Sequence, residues 1–143
     1  VTSICFDPKD FNTLYASVQN TDGGLYKSIN KGESWTKVES AAALLSRYGV
    51  NDIHFDVDGL AYITTGFSWF DDKEGGLWVS KDNMLTWERI FDHPWVFRVE
   101  TARYDANTIF ISTLGNNNTG YLNPGSYLSK DKGATWIKIN KGK

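Results

Sequence analysis

Two stretches and two short connectors gather side chains that could recognise or cleave a sugar. Phe67-Ser-Trp-Phe-Asp-Asp-Lys-Glu74 sets Phe67, Trp69 and Phe70 beside Asp71 and Asp72, and Leu114 to Pro124 carries Asn116, Asn117, Asn118 and Tyr121. Phe91-Asp-His-Pro-Trp95 adds Asp92 and Trp95, and Asp22 stands ahead of Gly23-Gly24-Leu-Tyr26. Flat aromatic faces give a pyranose ring something to stack on, and fixed amide and carboxylate oxygens accept its hydroxyls. Phe67, Trp69, Phe70, Trp95, Asn117 and Tyr121 are therefore the candidate ligand contacts. The same residues also have a plainer use, since aromatics staple long loops and acids solvate a rim.

Cleavage asks for more. Glycoside hydrolysis ordinarily needs two carboxyl groups about 5–9.5 Å apart across the scissile bond. Asp22, Asp71, Asp72 and Asp92 are the candidates, and they do not make a complete catalytic set. Asp71 and Asp72 are sequence neighbours, so their side chains are expected to diverge. The Gly-Gly strand after Asp22 recurs after Glu74, which makes it also a feature of a repeat. Arg47, Arg89, Arg98 and Arg103 are scattered rather than clustered, with Arg89 and Arg98 in strand patterns. His54 and His93 lack the companions of a metal site, so neither metal nor cofactor is expected. Asp56-Val-Asp-Gly59 lacks the later ligands of a calcium loop and reads as a turn. Asn117-Asn-Thr119 is a formal glycosylation sequon.

The elements that must position these residues come from a repeat. Ser28-Ile-Asn-Lys-Gly-Glu-Ser-Trp35, Ser80-Lys-Asp-Asn-Met-Leu-Thr-Trp87 and Ser129-Lys-Asp-Lys-Gly-Ala-Thr-Trp136 are near-copies, with Trp-to-Trp spacings of 52 and 49 residues. A self-similar period of about 40–50 residues marks a propeller or solenoid. Each phrase follows a short aromatic strand and precedes an alternating one, so it is a turn between antiparallel strands. Its Asx residue (Asn30, Asp82, Asp131) can accept backbone N–H bonds. Gly32 and Gly133 suit a left-handed turn residue, and Met84 in their place predicts a strained or differently shaped second turn. Upstream, alternating strands open each unit at Val1, Val50 and Val96. The third unit is expected to turn near Asp105-Ala-Asn107 before a strand over Thr108–Ser112. Three four-stranded antiparallel meanders follow, at 1–40, 41–92 and 93–143.

The phrase resembles the Asp box, or BNR repeat, of xyloglucanases, sialidases, sortilin-type receptors and related β-propellers, on Ser28, Asn30, Gly32, Trp35, Ser80, Asp82, Trp87, Ser129, Asp131, Gly133 and Trp136. The resemblance covers nearly the whole chain. It implies an all-β propeller segment in which these turns are structural and lie on the face away from the active site. It also implies a secreted, extracellular or periplasmic protein. Asp22 resembles the position at which xyloglucanases carry a catalytic Asp, whereas the three-arginine cluster of sialidases has no counterpart. Two functions follow from the resemblance: carbohydrate engagement within a glycoside hydrolase-like propeller, or a non-catalytic protein-interaction scaffold, as in sortilin-type receptors or photosystem assembly factors.

Composition narrows the field. The chain has 143 residues, 41% hydrophobic and 15% aromatic, with a net charge of −2 and no basic stripe of the kind nucleic acid requires. No apolar run is long enough for a membrane-spanning helix. The single cysteine, Cys5, excludes an intrachain disulfide and is expected to be a small buried hydrophobe. Propellers close with about 4–8 blades, so three units are expected to be part of a larger ring. The missing blades would come from the same longer chain or from another chain. The start at Val1 suggests a removed leader or an excised piece.

Overall fold

The computed structural model describes residues 1–20, 22–42, 49–67, 75–115 and 124–140. These form three four-stranded antiparallel sheets, each a meander in chain order. The first contains β1 (Ser3–Phe6), β2 (Leu14–Val18), β3 (Gly24–Ser28) and β4 (Thr36–Lys37). One helical turn, α1 (Glu39–Ala42), leads to the second, with β5 (Val50–Phe55), β6 (Ala61–Thr65), β7 (Gly76–Ser80) and β8 (Glu88–Asp92). The third holds β9 (Val96–Ala102), β10 (Asp105–Thr113), β11 (Gly125–Ser129) and β12 (Ile137–Lys138). Each sheet is one blade of a propeller-like stack, in which β1, β5 and β9 lie side by side. The expected turn near Asp105–Asn107 lies earlier. Arg103 and Tyr104 make it, and β10 already begins at Asp105, at the cost of a register shift between Asp105 and Ile109.

Two cores hold the blades together. Between blades one and two lie Tyr15, Leu25, Val50, Ile53, Ile63 and Met84, with Cys5, Val38 and Trp87 packed against them. Between blades two and three lie Tyr62, Leu77, Val79, Val99, Ile109 and Ile111, backed by Ile90, Phe91 and Trp136. β6 serves both cores at once, with Ile63 facing the first and Tyr62 the second, so every residue from Ala61 to Thr65 is buried. Among the described residues blade three packs against blade two alone, and Phe110 between Ile109 and Ile111 on β10 is left 39% exposed. Burying a Leu, Ile or Val side chain contributes about 1.5–3 kcal/mol, so these two seams supply most of the driving force. Cys5 is half-buried, and desolvation, with smaller contributions from Asp52 and Asp7, pushes its thiol up to about 12. Such a group is packing material rather than a nucleophile.

The three repeated turns have one geometry. Ser28, Ser80 and Ser129 each donate from Oγ to the Asx Oδ1 two residues on, at 2.9, 2.9 and 2.7 Å. The same hydroxyls accept the N–H of Gly32, Met84 and Gly133 at 2.8, 2.9 and 2.8 Å. The Asx Oδ1 also accepts the N–H of Ser34, Thr86 or Thr135 at 3.0, 2.9 and 2.8 Å. The second turn is therefore not differently shaped, although Met84 sits at φ 66 where its counterparts are Gly32 at 92 and Gly133 at 87. Its side chain compensates. Met84 is buried in the first core, whereas a Cβ on Gly133 would come within 2.7 Å of Ile90 Cδ1 in the second. Position four of the turn is left-handed as well, at Lys31, Asn83 and Lys132, with φ of 58, 57 and 56.

Candidate functional site

The turns separate the two rims of the stack. Lys31 N–H donates to Asn12 O and Lys132 N–H to Asn107 O, so the repeated turns share one rim with the β1–β2 and β9–β10 turns. The opposite rim is made where each β2–β3-type loop crosses the connector to the next blade. Gln19 pairs there with Gly49, and Gly66 with Trp95. These crossings explain the recurrent glycines. A Cβ on Gly23 would lie 2.3 Å from Val18 O, and one on Gly75 would lie 2.5 Å from both His93 O and Pro94 O. At Gly66 it would lie 2.0 Å from Pro94 O, and φ is 108, so this position admits only glycine on two counts.

The crossing between blades two and three brings Phe67 and Trp95 together. Their ring centroids are 5.3 Å apart at an interplanar angle of 50°. His93 Nδ1 accepts the N–H of Trp95 at 3.1 Å, which leaves that imidazole an unprotonated Nδ1 and closes the connector on itself. Leu114 N–H donates to Trp95 O at 3.1 Å, which ties in the loop of blade three. Among the described residues the indole Nε1 of Trp95 is buried without a hydrogen-bond partner. Trp95 and Phe67 are both half-buried, so each ring keeps an accessible part. Paired aromatic rings on a loop rim suit a ligand that presents an apolar face.

The carboxylate candidates are less gathered. Asp92 closes β8 opposite Gly76, with its side chain 79% exposed and 3.8 Å from Arg89 Nη1. Asp22 is exposed, and its carbonyl accepts the Tyr26 hydroxyl at 3.2 Å. Trp69, Phe70, Asp71, Asp72, Asn117 and Tyr121 lie outside the described residues, as does Arg47. Three arginines are dispersed: Arg89 stacks over Trp78, Arg98 pairs with Asp52 at 3.4 Å, and Arg103 covers Tyr104. His54 donates to or accepts from Thr101 Oγ1 at 2.8 Å across the second seam, and Asp56 Oδ1 accepts Asp58 and Leu60 N–H groups in a simple turn.

Sequence reasoning missed the polar seam along the inner strands. Asp52, 5% exposed, accepts Val99 N–H at 3.1 Å and Ile53 N–H at 3.0 Å as well as pairing with Arg98. The only advance sign was polarity at alternating positions of a strand whose neighbours are apolar.

The fold is an all-β, propeller-like segment, with a pair of aromatic rings in contact on its loop face. A xyloglucanase from a Paenibacillus species is 29% identical over 138 residues, which span 89% of this chain and 13% of that protein. The crystal structure of the GH74 xyloglucanase from Xanthomonas campestris superposes with a TM-score of 0.51 at 17% identity, over 96% of this chain and 29% of that one. The chain thus spans a minor part of the length of each. No family model matches it.

Proposed function

We propose that this chain is a carbohydrate-engaging segment of a glycoside hydrolase-like, xyloglucanase-like β-propeller. The Phe67–Trp95 pair carries the reading, because two rings from separate loops meet at an inter-blade groove on the rim away from the repeated turns. In that reading the repeated turns are Asp boxes, scaffolding for units 1–40, 41–92 and 93–143. The remaining blades come from the same longer chain or from another. The similarity to a secreted class of enzymes supports an extracellular or periplasmic setting. Trp69, Phe70, Asn117 and Tyr121 extend the stacking and hydrogen-bonding surface, and Asp22, Asp71, Asp72 and Asp92 are the acids available to bind hydroxyls or transfer protons.

Titration with xyloglucan oligosaccharides tests it. Trp95→Ala and Phe67→Ala are each expected to weaken binding at least about tenfold, since base or sugar stacking on one aromatic ring contributes on the order of 1–3 kcal/mol. Affinity unchanged in both folded variants removes the groove from the glycan site. A second reading, a non-catalytic interaction scaffold, draws on Asp92 being largely exposed and paired with Arg89 at 3.8 Å. Reducing-sugar release from xyloglucan separates the two, and binding without release favours the scaffold.

A further inference from the structure

Asn51 is 1% exposed, and its amide reaches three separate elements. Nδ2 donates to Gly66 O at 2.9 Å and to Val96 O at 2.8 Å, while Oδ1 accepts from Gln19 Nε2 at 2.8 Å. Gly66 immediately precedes Phe67, and Val96 immediately follows Trp95. One buried side chain thus clamps both backbone segments that hold the paired rings. Through Gln19 it also reaches the loop of blade one that carries Asp22. Two donors aimed at two carbonyls also fix which end of the amide is nitrogen.

The arrangement is particular to this seam. At the equivalent position of the first blade, Thr2 Oγ1 reaches Val50 O at 3.3 Å, the counterpart of the Val96 bond, and otherwise bonds only to Ser17. At the equivalent position of the third blade stands Phe97, which has no polar end. A clamp on both the loop and the connector occurs where the two rings meet. Without it, the carbonyls of Gly66 and Val96 would each lose a donor, and the crossing would lean on the Gly66–Trp95 pairing to hold its register.

We infer that Asn51 is the positioning residue of the Phe67–Trp95 groove and links that groove to the Gln19 loop of blade one. The inference rests on the glycan-binding reading only for its consequence on affinity. The test uses protein labelled with 5-fluorotryptophan, with the Trp95 fluorine resonance assigned by its loss in Trp95→Phe. Asn51→Thr retains a hydroxyl able to reach Val96 O, as Thr2 does in its own blade, but cannot also reach Gly66 O or Gln19. It is expected to shift the Trp95 resonance and to weaken xyloglucan-oligosaccharide binding about tenfold, the effect of losing one to two buried hydrogen bonds at a site. Gln19→Ala leaves both Nδ2 bonds in place and should move the resonance by a smaller amount.

A folded Asn51→Thr protein whose Trp95 resonance stays put overturns the positioning role, whatever its melting temperature. If Asn51→Thr does not fold, Gln19→Ala decides, and an unmoved resonance there overturns the link. Where the parent protein binds no xyloglucan oligosaccharide yet Asn51→Thr moves the resonance, the glycan reading fails and the positioning role stands.

Discussion

Asp131 accepts three hydrogen bonds in its turn, from Thr135 Oγ1 at 2.5 Å, Thr135 N–H at 2.8 Å and Ser129 Oγ at 2.7 Å. These donors, those of Thr135 foremost, lower its carboxyl from the usual 3.8 to about 2. Asp82, Asp105 and Asp10 are lowered by the same kind of contact. A carboxyl with a depressed value in the folded state takes up its proton more readily when unfolded. Its stabilisation is present above about pH 4 and is lost as the pH falls toward 2. Asn30 shows how the turn manages without a charge. Its Oδ1 keeps both acceptor roles, and its Nδ2 donates to Ser34 Oγ at 2.8 Å. Asp131→Asn should therefore keep the fold and flatten the loss of stability between pH 4 and pH 2. Urea denaturation across that range checks it, and an unchanged acid slope assigns the sensitivity to the other carboxyls.

At the scale of the element, the β7–β8 turn sets a backbone cost against a packing gain. Met84 in the left-handed region costs about 1–2 kcal/mol relative to an ordinary conformation. Its side chain, 6% exposed in the first seam, is worth about 2–5 kcal/mol by the usual cost of truncating a buried methionine. Packing wins, so Met84→Gly should destabilise the protein even though glycine is the residue found in the other two turns. Equilibrium unfolding that showed Met84→Gly to be more stable would place the side chain outside the core. Sequence alone displayed the strained position but not its compensation, because Met84 joins Tyr15, Leu25 and the other blade-one residues of that core only once blades one and two stack. The mislocated turn in the third unit has a similar origin. Asp105-Ala-Asn107 carries turn chemistry, and Asp105 Oδ1 does accept Asn107 N–H at 2.9 Å, but within an irregular start of β10 rather than between strands.

The repeated tryptophans show how the whole molecule is assembled. Two of the three reach back toward the preceding blade: Trp87 Nε1 donates to Ser40 Oγ at 3.2 Å, and Trp136 Nε1 to Ile90 O at 3.1 Å. Trp35 stands in the first of the three blades. Among the described residues its Nε1 bonds to Gly32 O at 3.1 Å within its own turn, and the residue is 37% exposed. Val1, Ile4, Ala16, Val18 and Tyr26 form an apolar cavity of about 370 Å³ with it. If a further blade covers this face in the intact protein, Trp35→Ala should cost as much as Trp136→Ala, about 3–5 kcal/mol for a large ring truncated at a packed seam. A cost for Trp35→Ala below about 1 kcal/mol, the range of exposed positions, would mean that the face stays open.

The sequence by itself determined the all-β class, the number of units and the turn chemistry, because a Ser-Asx-Gly-Trp pattern acts within eight residues and repeats. It also marked Phe67 and Trp95 as candidates, since aromatic residues in long loops stand out against a regular scaffold. Only the tertiary structure decided that these two rings meet. Their encounter depends on Gly66 lying flat under Pro94 and on Asn51 bridging Gly66 to Val96, contacts between segments 15 to 45 residues apart. Local propensity encodes strands and turns, but a groove between blades is a property of how sheets stack, and no single segment carries it.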